Sequence, residues 1–293
     1  MLNKILALQA KIFLGKGIDK KFPFLVSLYK KVCFLVAKNG EGLVDIPLNS
    51  KLLVSEKDTG LGLFLRTKGE FEPIQTKLFL ELIKPGNTFL DLGANIGYYS
   101  VLTSKVVGQN GKVFAFEPDP QNLNFLKKNV ALNQANNVQI VEAAVGKTIR
   151  KQELRQDLSN PGESTLAQTK NGSKVKVKVT TLDKFLNQAQ IKKTDVVKID
   201  IEGAEIDALK GGQKFLQKAK NIKLFIECNQ EALKQFNYRP TDLIKKLKEY
   251  GFEIKTIINE FEKKTYPFSL TELENNLKRV SFVSLYAEKN EKN

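Results

Sequence analysis

From residue 73 onward the chain alternates short apolar runs with helix-periodic stretches, a rhythm that admits few folds. A helix over residues 73–83 is closed by Pro85-Gly86. Then come a strand (88–92), a helix (97–107), a strand (112–117), a helix (120–133) and a strand (138–142). Residues 144–180 break the pattern with two short β-like pieces, the second over 174–180. It resumes with a helix (182–189), a strand (195–201), a helix (204–216), a strand (222–227) and a helix (241–250). The end, 252–257 and 280–288, reads as two antiparallel strands. Apolar strands separated by helices predict a doubly wound α/β sheet.

Residues 46–293 are read as one catalytic domain with its core motifs at 86–229, preceded by a basic helical extension over 1–45. In that extension Ile5, Leu8, Ile12, Phe24, Leu28 and Cys33 alternate with Lys11, Lys20, Lys21, Lys30 and Lys31. Such residues can lie on an anionic membrane surface or pack on their own domain. Lys11 and Lys16 interrupt the first apolar stretch too early for a signal peptide, and no apolar run is long enough to span a bilayer. Residues 43–72, with Gly60 and Gly62, suggest a small β element.

The net charge of +15 favours anionic partners, but the lysines are scattered and no run resembles a nucleic-acid arm. Nucleic acid is therefore not the expected partner. The chain has no His and only two Cys, Cys33 and Cys228. That excludes Ser-His-Asp and Cys-His catalysis and His-ligated metals, and it points to a reducing cytoplasm. Proton transfer must fall to carboxylates, Lys, Tyr or water.

Two constellations carry chemistry. The first is the stretch FLDLGANIGYYS, residues 89–100, where a strand runs into Gly93-Ala94-Asn95-Ile96-Gly97 and then a helix. Gly93 lets the backbone turn and approach a ligand, and Gly97 allows a tight start to the helix. The loop lacks the G-x-G-x-x-G of dinucleotide sites, and Asp91 places a negative charge where a phosphate would be repelled. A cationic, phosphate-free nucleoside such as S-adenosylmethionine suits it better. Glu117, ending the second strand, can take both ribose hydroxyls, and Glu142-Ala143 after the third can line the adenine.

The second is VKIDIEGAE, residues 197–205, where Asp200, Glu202 and Glu205 follow the fourth strand. Glu202 and Glu205 share a helix face if the helix starts by Gly203. Glu227, at the end of the fifth strand, points to the same crevice. Converging carboxylates are costly without a partner. A sulfonium is such a partner, and Lys198 within the apolar strand is another. A metal held by these acids is an alternative chemistry; no metal is assigned.

The two constellations, with Phe116-Glu117-Pro118, Leu209-Lys210-Gly211, the lead-in Gly69-Glu70-Phe71-Glu72 and Thr181-Leu182-Asp183, resemble the FkbM family of SAM-dependent methyltransferases over about residues 68–230. The resemblance implies a class I, Rossmann-like sheet of seven strands, mostly parallel with the last antiparallel. It implies O-methylation of sugars, polyketides or other small hydroxylated acceptors. By position, Asp91, Gly93, Ala94, Asn95 and Gly97 would hold the methionine part of SAM, and Glu117 with Pro118 the ribose. Asp200 and Glu202 would face the methyl group. On chemical grounds the base is sought among Asp200, Glu202 and Glu227. An RNA or protein methyltransferase, a nicotinamide dehydrogenase and a non-catalytic nucleoside-binding module remain alternatives. The acceptor would be recognised by residues 144–180, the extension and a loop over 261–276.

Overall fold

The computed structural model describes residues 40–157, 164–167 and 173–290. Residues 1–39 of the expected extension, and residues 158–163, 168–172 and 291–293, lie outside the described residues. The chain begins with an antiparallel hairpin, β1 (Glu41–Ile46) and β2 (Ser50–Ser55), which straddles the boundary expected at residue 45 because 41–46 pair with 50–55. Then follow α1 (Leu61–Lys68), α2 (Pro73–Leu82), β3 (Thr88–Leu92), α3 (Tyr98–Val107), β4 (Lys112–Phe116), α4 (Pro120–Leu132) and β5 (Val138–Val141). A small lobe is formed by β6 (Ala144–Val145), β7 (Arg150–Gln156) and β8 (Ser173–Thr180). The second half contains α5 (Leu182–Gln188), β9 (Val196–Ile199), α6 (Glu205–Gly211), α7 (Gln213–Lys218), β10 (Ile222–Asn229) and α8 (Gln230–Gln235). It ends with α9 (Pro240–Glu249), β11 (Glu253–Asn259), β12 (Lys264–Pro267), α10 (Leu270–Arg279) and β13 (Phe282–Lys289).

The main sheet has the order β12-β11-β13-β10-β9-β3-β4-β5. Neighbours from β10 to β5 are parallel, and β13 runs antiparallel to both β10 and β11. This is the class I methyltransferase arrangement. It has eight strands rather than seven, because β12 folds back on β11. Among the described residues no helix is long and apolar enough to cross a membrane.

Both faces of the sheet are covered. Leu90, Leu92, Val197 and Ile199 pack with Leu182, Leu209, Leu216, Leu243 and Leu247 on one side. On the other, Phe89, Val196 and Phe225 pack with Phe79, Val101 and Leu102, joined by Leu52 and Val54 of the hairpin. The hairpin is pinned to α4 through Asn129, whose Oδ1 accepts the Leu53 N–H at 2.6 Å while its Nδ2 donates to the Leu53 carbonyl at 3.1 Å.

Two stretches differ from the sequence reading. The helix expected over 204–216 divides into α6 and α7 at Gly212. The loop expected over 261–276 contains β12 and most of α10. The start of α10 is a Ser269-x-x-Glu272 cap, with the Glu272 N–H donating to Ser269 Oγ at 3.0 Å.

Candidate functional site

Strand pleating sorts the site residues. Asp91 is in register with Lys198, and Lys198 with Phe225. Side chains two apart share a face, so Asp200 and Glu227 stand one step further on the same face, at the C-terminal ends of the strands. Ligands bind there in an open parallel sheet. A cavity of about 680 Å³ occupies this crevice, and Asp91, Lys198, Asp200 and Glu227 all line it.

Lys198 is buried on this wall. Its Nζ lies 2.5 Å from Asp200 Oδ2 and 4.7 Å from the centre of the Tyr99 ring. Burial works against its charge, but Asp200, Glu72 and Asp91 outweigh burial and hold the ammonium above its ordinary value. Asp91 is also buried and accepts the Ser100 hydroxyl at 2.6 Å. Burial pushes its carboxyl up to about 6, against the pull of Lys198.

The loop after β3 is shaped by close approach to protein. Gly93 has φ 91°, and a Cβ there would lie 1.8 Å from the Asp200 carbonyl oxygen. The missing side chain at Gly93 thus admits the neighbouring strand end, and the residue also borders the cavity. Asn95 takes φ 52°, a left-handed conformation that Asn tolerates, and its N–H donates to Glu117 Oε2 at 2.8 Å. Glu117 Oε1 accepts the Asp119 N–H at 2.8 Å. Burial nonetheless raises the Glu117 carboxyl to about 8. Gly93, Ala94, Asn95, Glu117, Pro118 and Ala143 all border the cavity.

Two residues assigned to the cofactor do not. Gly97, at φ 96°, caps α3 and packs on Leu126, where a Cβ would come within 2.7 Å. Glu142 points outward from the end of β5 and pairs with Lys127 at 2.5 Å. Its neighbours Ala143 and Ala144 present the wall instead.

Of the second constellation, Asp200, Glu202 and Glu227 border the cavity and Glu205 does not. Glu202 and Glu205 share no helix face, since α6 starts only at Glu205 and Glu202 sits outside it at φ 54°. Glu205 Oε1 instead turns back to accept the N–H groups of Ile201 at 3.2 Å and Gly203 at 3.1 Å. Burial drives the Glu227 carboxyl well above the carboxylate range, aided by repulsion from Asp200 and Glu202.

One functional-looking group escaped the sequence reading. Glu72, within the lead-in Gly69-Glu70-Phe71-Glu72, is buried at φ 45° and lines the same cavity. Its Oε2 accepts Tyr99 Oη at 2.9 Å and Gln75 Nε2 at 2.6 Å. Burial raises it to about 7, with Lys198 pulling the other way. A Glu followed at once by Pro73 at a helix start was the available signal: Pro tolerates N1 and forces the preceding residue out of the helix.

The small lobe closes the far side. Ser164 Oγ donates to Asp119 Oδ2 and Thr165 Oγ1 to the Glu202 carbonyl, both at 2.9 Å. Leu154, Leu166 and, from the C-terminal segment, Phe261 and Lys263 complete the wall.

Residues 91–254 match the family described as the Methyltransferase FkbM domain. "Methyltransferase 1" of Beauveria bassiana is 28% identical over 49% of this chain and 68% of its own length. The "Hexuronic acid methyltransferase AglP" of Haloferax volcanii is 24% identical over 62% of this chain and 69% of its own. Among solved structures, the methyltransferase FkbM of Methylobacillus flagellatus is 18% identical with a TM-score of 0.41, covering 76% of this chain and 52% of that one.

Proposed function

The chain belongs to the FkbM methyltransferase family, and from that premise we propose that it transfers the methyl group of S-adenosylmethionine to a hydroxyl of a sugar, glycan, lipid-linked saccharide or similar small acceptor. The observation that carries this reading is the charge of the cavity wall. Glu72, Asp91, Asp200, Glu202 and Glu227 border one cavity in which Lys198 is a buried cation, so the wall suits a positively charged ligand. The volume is that of a typical small-molecule site. The hexuronic-acid relative supports a sugar acceptor.

S-adenosylmethionine, when bound, supplies an electrophilic methyl with a neutral thioether as leaving group. Asp91 and the loop Gly93-Ala94-Asn95 would hold its amino-acid part, and Glu117 with Pro118 its ribose. Glu117 is already fixed by the backbone N–H groups of Asn95 and Asp119 and by the Asn122 side chain, and its carboxyl would meet the ribose hydroxyls from that fixed position. Asp200, Glu202 or Glu227 would accept the acceptor's hydroxyl proton as its oxygen forms the new bond. Alignment and exclusion of water account for most of the remaining acceleration, and the small lobe is placed to provide both.

Calorimetric titration with S-adenosylmethionine and then with NAD tests the cofactor; heat with NAD alone would sink the reading. Replacing each of the three acids by its amide tests the base. The true base should lose turnover steeply with cofactor affinity retained. Mass-spectrometric search for +14 Da glycans or lipids in a deletion strain identifies the acceptor.

A further inference from the structure

Asp200, Glu202 and Glu227 reach the cavity from two strand ends. Each offers one carboxylate oxygen, and the three atoms lie within 4.8 Å of one another. Three carboxyl groups at that spacing cannot all ionise without a counter-charge. Lys198 relieves only part of this, because its ammonium is bonded to Asp200 Oδ2 and also faces Asp91 and Glu72. The second observation is Glu227 itself. Its Oε2 is buried and has no hydrogen-bond partner among the described residues. A buried carboxylate oxygen is not left bare without cost, since it has given up water and gained nothing.

The donor set is all oxygen, the preference of hard cations rather than of zinc or copper. Cation–oxygen distances of about 2.0–2.6 Å place oxygens on opposite sides of a shell about 4–5 Å apart, which matches the spacing of the trio. We propose that Asp200, Glu202 and Glu227 form a binding site for a hard divalent cation, of the magnesium or manganese class, inside the cavity. The existence of the site is independent of the transfer reading, but its role rests on it. There, the cation's remaining positions would take the acceptor oxygen as a ligand, so that the hydroxyl proton leaves to solvent more readily. The three acids would then be ligands and not the base.

Mn²⁺ is titrated into the chelator-treated full chain, with and without S-adenosylmethionine, and free Mn²⁺ is followed by electron paramagnetic resonance. One Mn²⁺ per chain is expected, displaced by Mg²⁺, with affinity at least tenfold weaker in Glu227→Gln and in Glu202→Gln and unchanged in the surface control Glu249→Gln. Cooperative thermal unfolding of each variant establishes that it is folded. If folded variants bind Mn²⁺ as tightly as the parent, or the parent does not bind it, the site is overturned, and retained S-adenosylmethionine binding leaves the transfer reading standing. Variant-sensitive Mn²⁺ binding without any S-adenosylmethionine binding would keep the site and sink the transfer reading.

Discussion

Gly93→Ala puts a methyl group against the backbone of the neighbouring strand end. Its Cβ would stand 1.8 Å from the Asp200 carbonyl oxygen, so one segment must move by more than an ångström. Two costs combine. Holding a residue with a Cβ in a left-handed conformation costs about 1–2 kcal/mol. Moving the loop strains the bonds from the Gly93 and Ala94 N–H groups to the Phe116 carbonyl, 3.0 and 2.9 Å, and from the Asp200 N–H to the Leu92 carbonyl, 3.0 Å. Losing one or two of these costs about 1–3 kcal/mol. The sum, about 2–5 kcal/mol, corresponds to a fall in Tm of about 4–10 °C for a domain of this size. Gly86→Ala is the matched control: φ is 78°, but nothing lies within 4 Å of its Cβ, so only the backbone strain applies. Thermal unfolding of the two variants, with calorimetric titration of S-adenosylmethionine, makes the comparison. Gly93→Ala should be clearly the less stable and lose cofactor affinity. Equal Tm values with unchanged affinity would refute the close-approach argument.

Stability should fall as pH rises from about 5 to 8. Asp91, Glu72 and Glu117 have folded values near 6, 7 and 8, above their unfolded ones, so the folded state binds more protons in that window. Tm measured across the range should decline, and saturating S-adenosylmethionine should flatten the decline by favouring the ionised acids; a rising Tm would contradict the burial of these groups. Phe79→Ala should lose about 3–5 kcal/mol in denaturant unfolding. Phe79 is fully buried, with ring centres of Phe89, Tyr99 and Phe225 at 5.1, 5.2 and 5.4 Å. Ser269→Ala removes the cap of α10 and should cost about 1 kcal/mol by the same measurement, with hydrogen exchange increasing in the first turn of the helix.

Much of the fold was readable because its signals are local. Apolar runs such as Val196-Val197 and Phe89-Leu90, set between helix-periodic stretches, demand a sheet covered on both faces. The elements that went unread are those whose pattern is short or mixed: α1 begins in Leu-Gly-Leu-Phe, and β12 is the four residues Lys264–Pro267. The cap opening α10 was legible and unused. In the site, Asp91, Glu117, Asp200, Glu202 and Glu227 could be chosen from their places at strand ends. Glu142 could not be told from them, because the direction of a residue just past a strand depends on its neighbours, here Lys127.

By itself, then, the sequence determined the strand–helix alternation, the acidic glycine loop and the family, all properties of residues close together in the chain. Tertiary structure decided what each of those residues touches. It set Gly93 against the Asp200 carbonyl and joined Glu72 to Tyr99 and Gln75. It also gathered Asp200, Glu202 and Glu227 within 4.8 Å. Period and turn chemistry are set within a few residues, whereas such contacts depend on register between strands far apart in the chain, which only the packed sheet fixes.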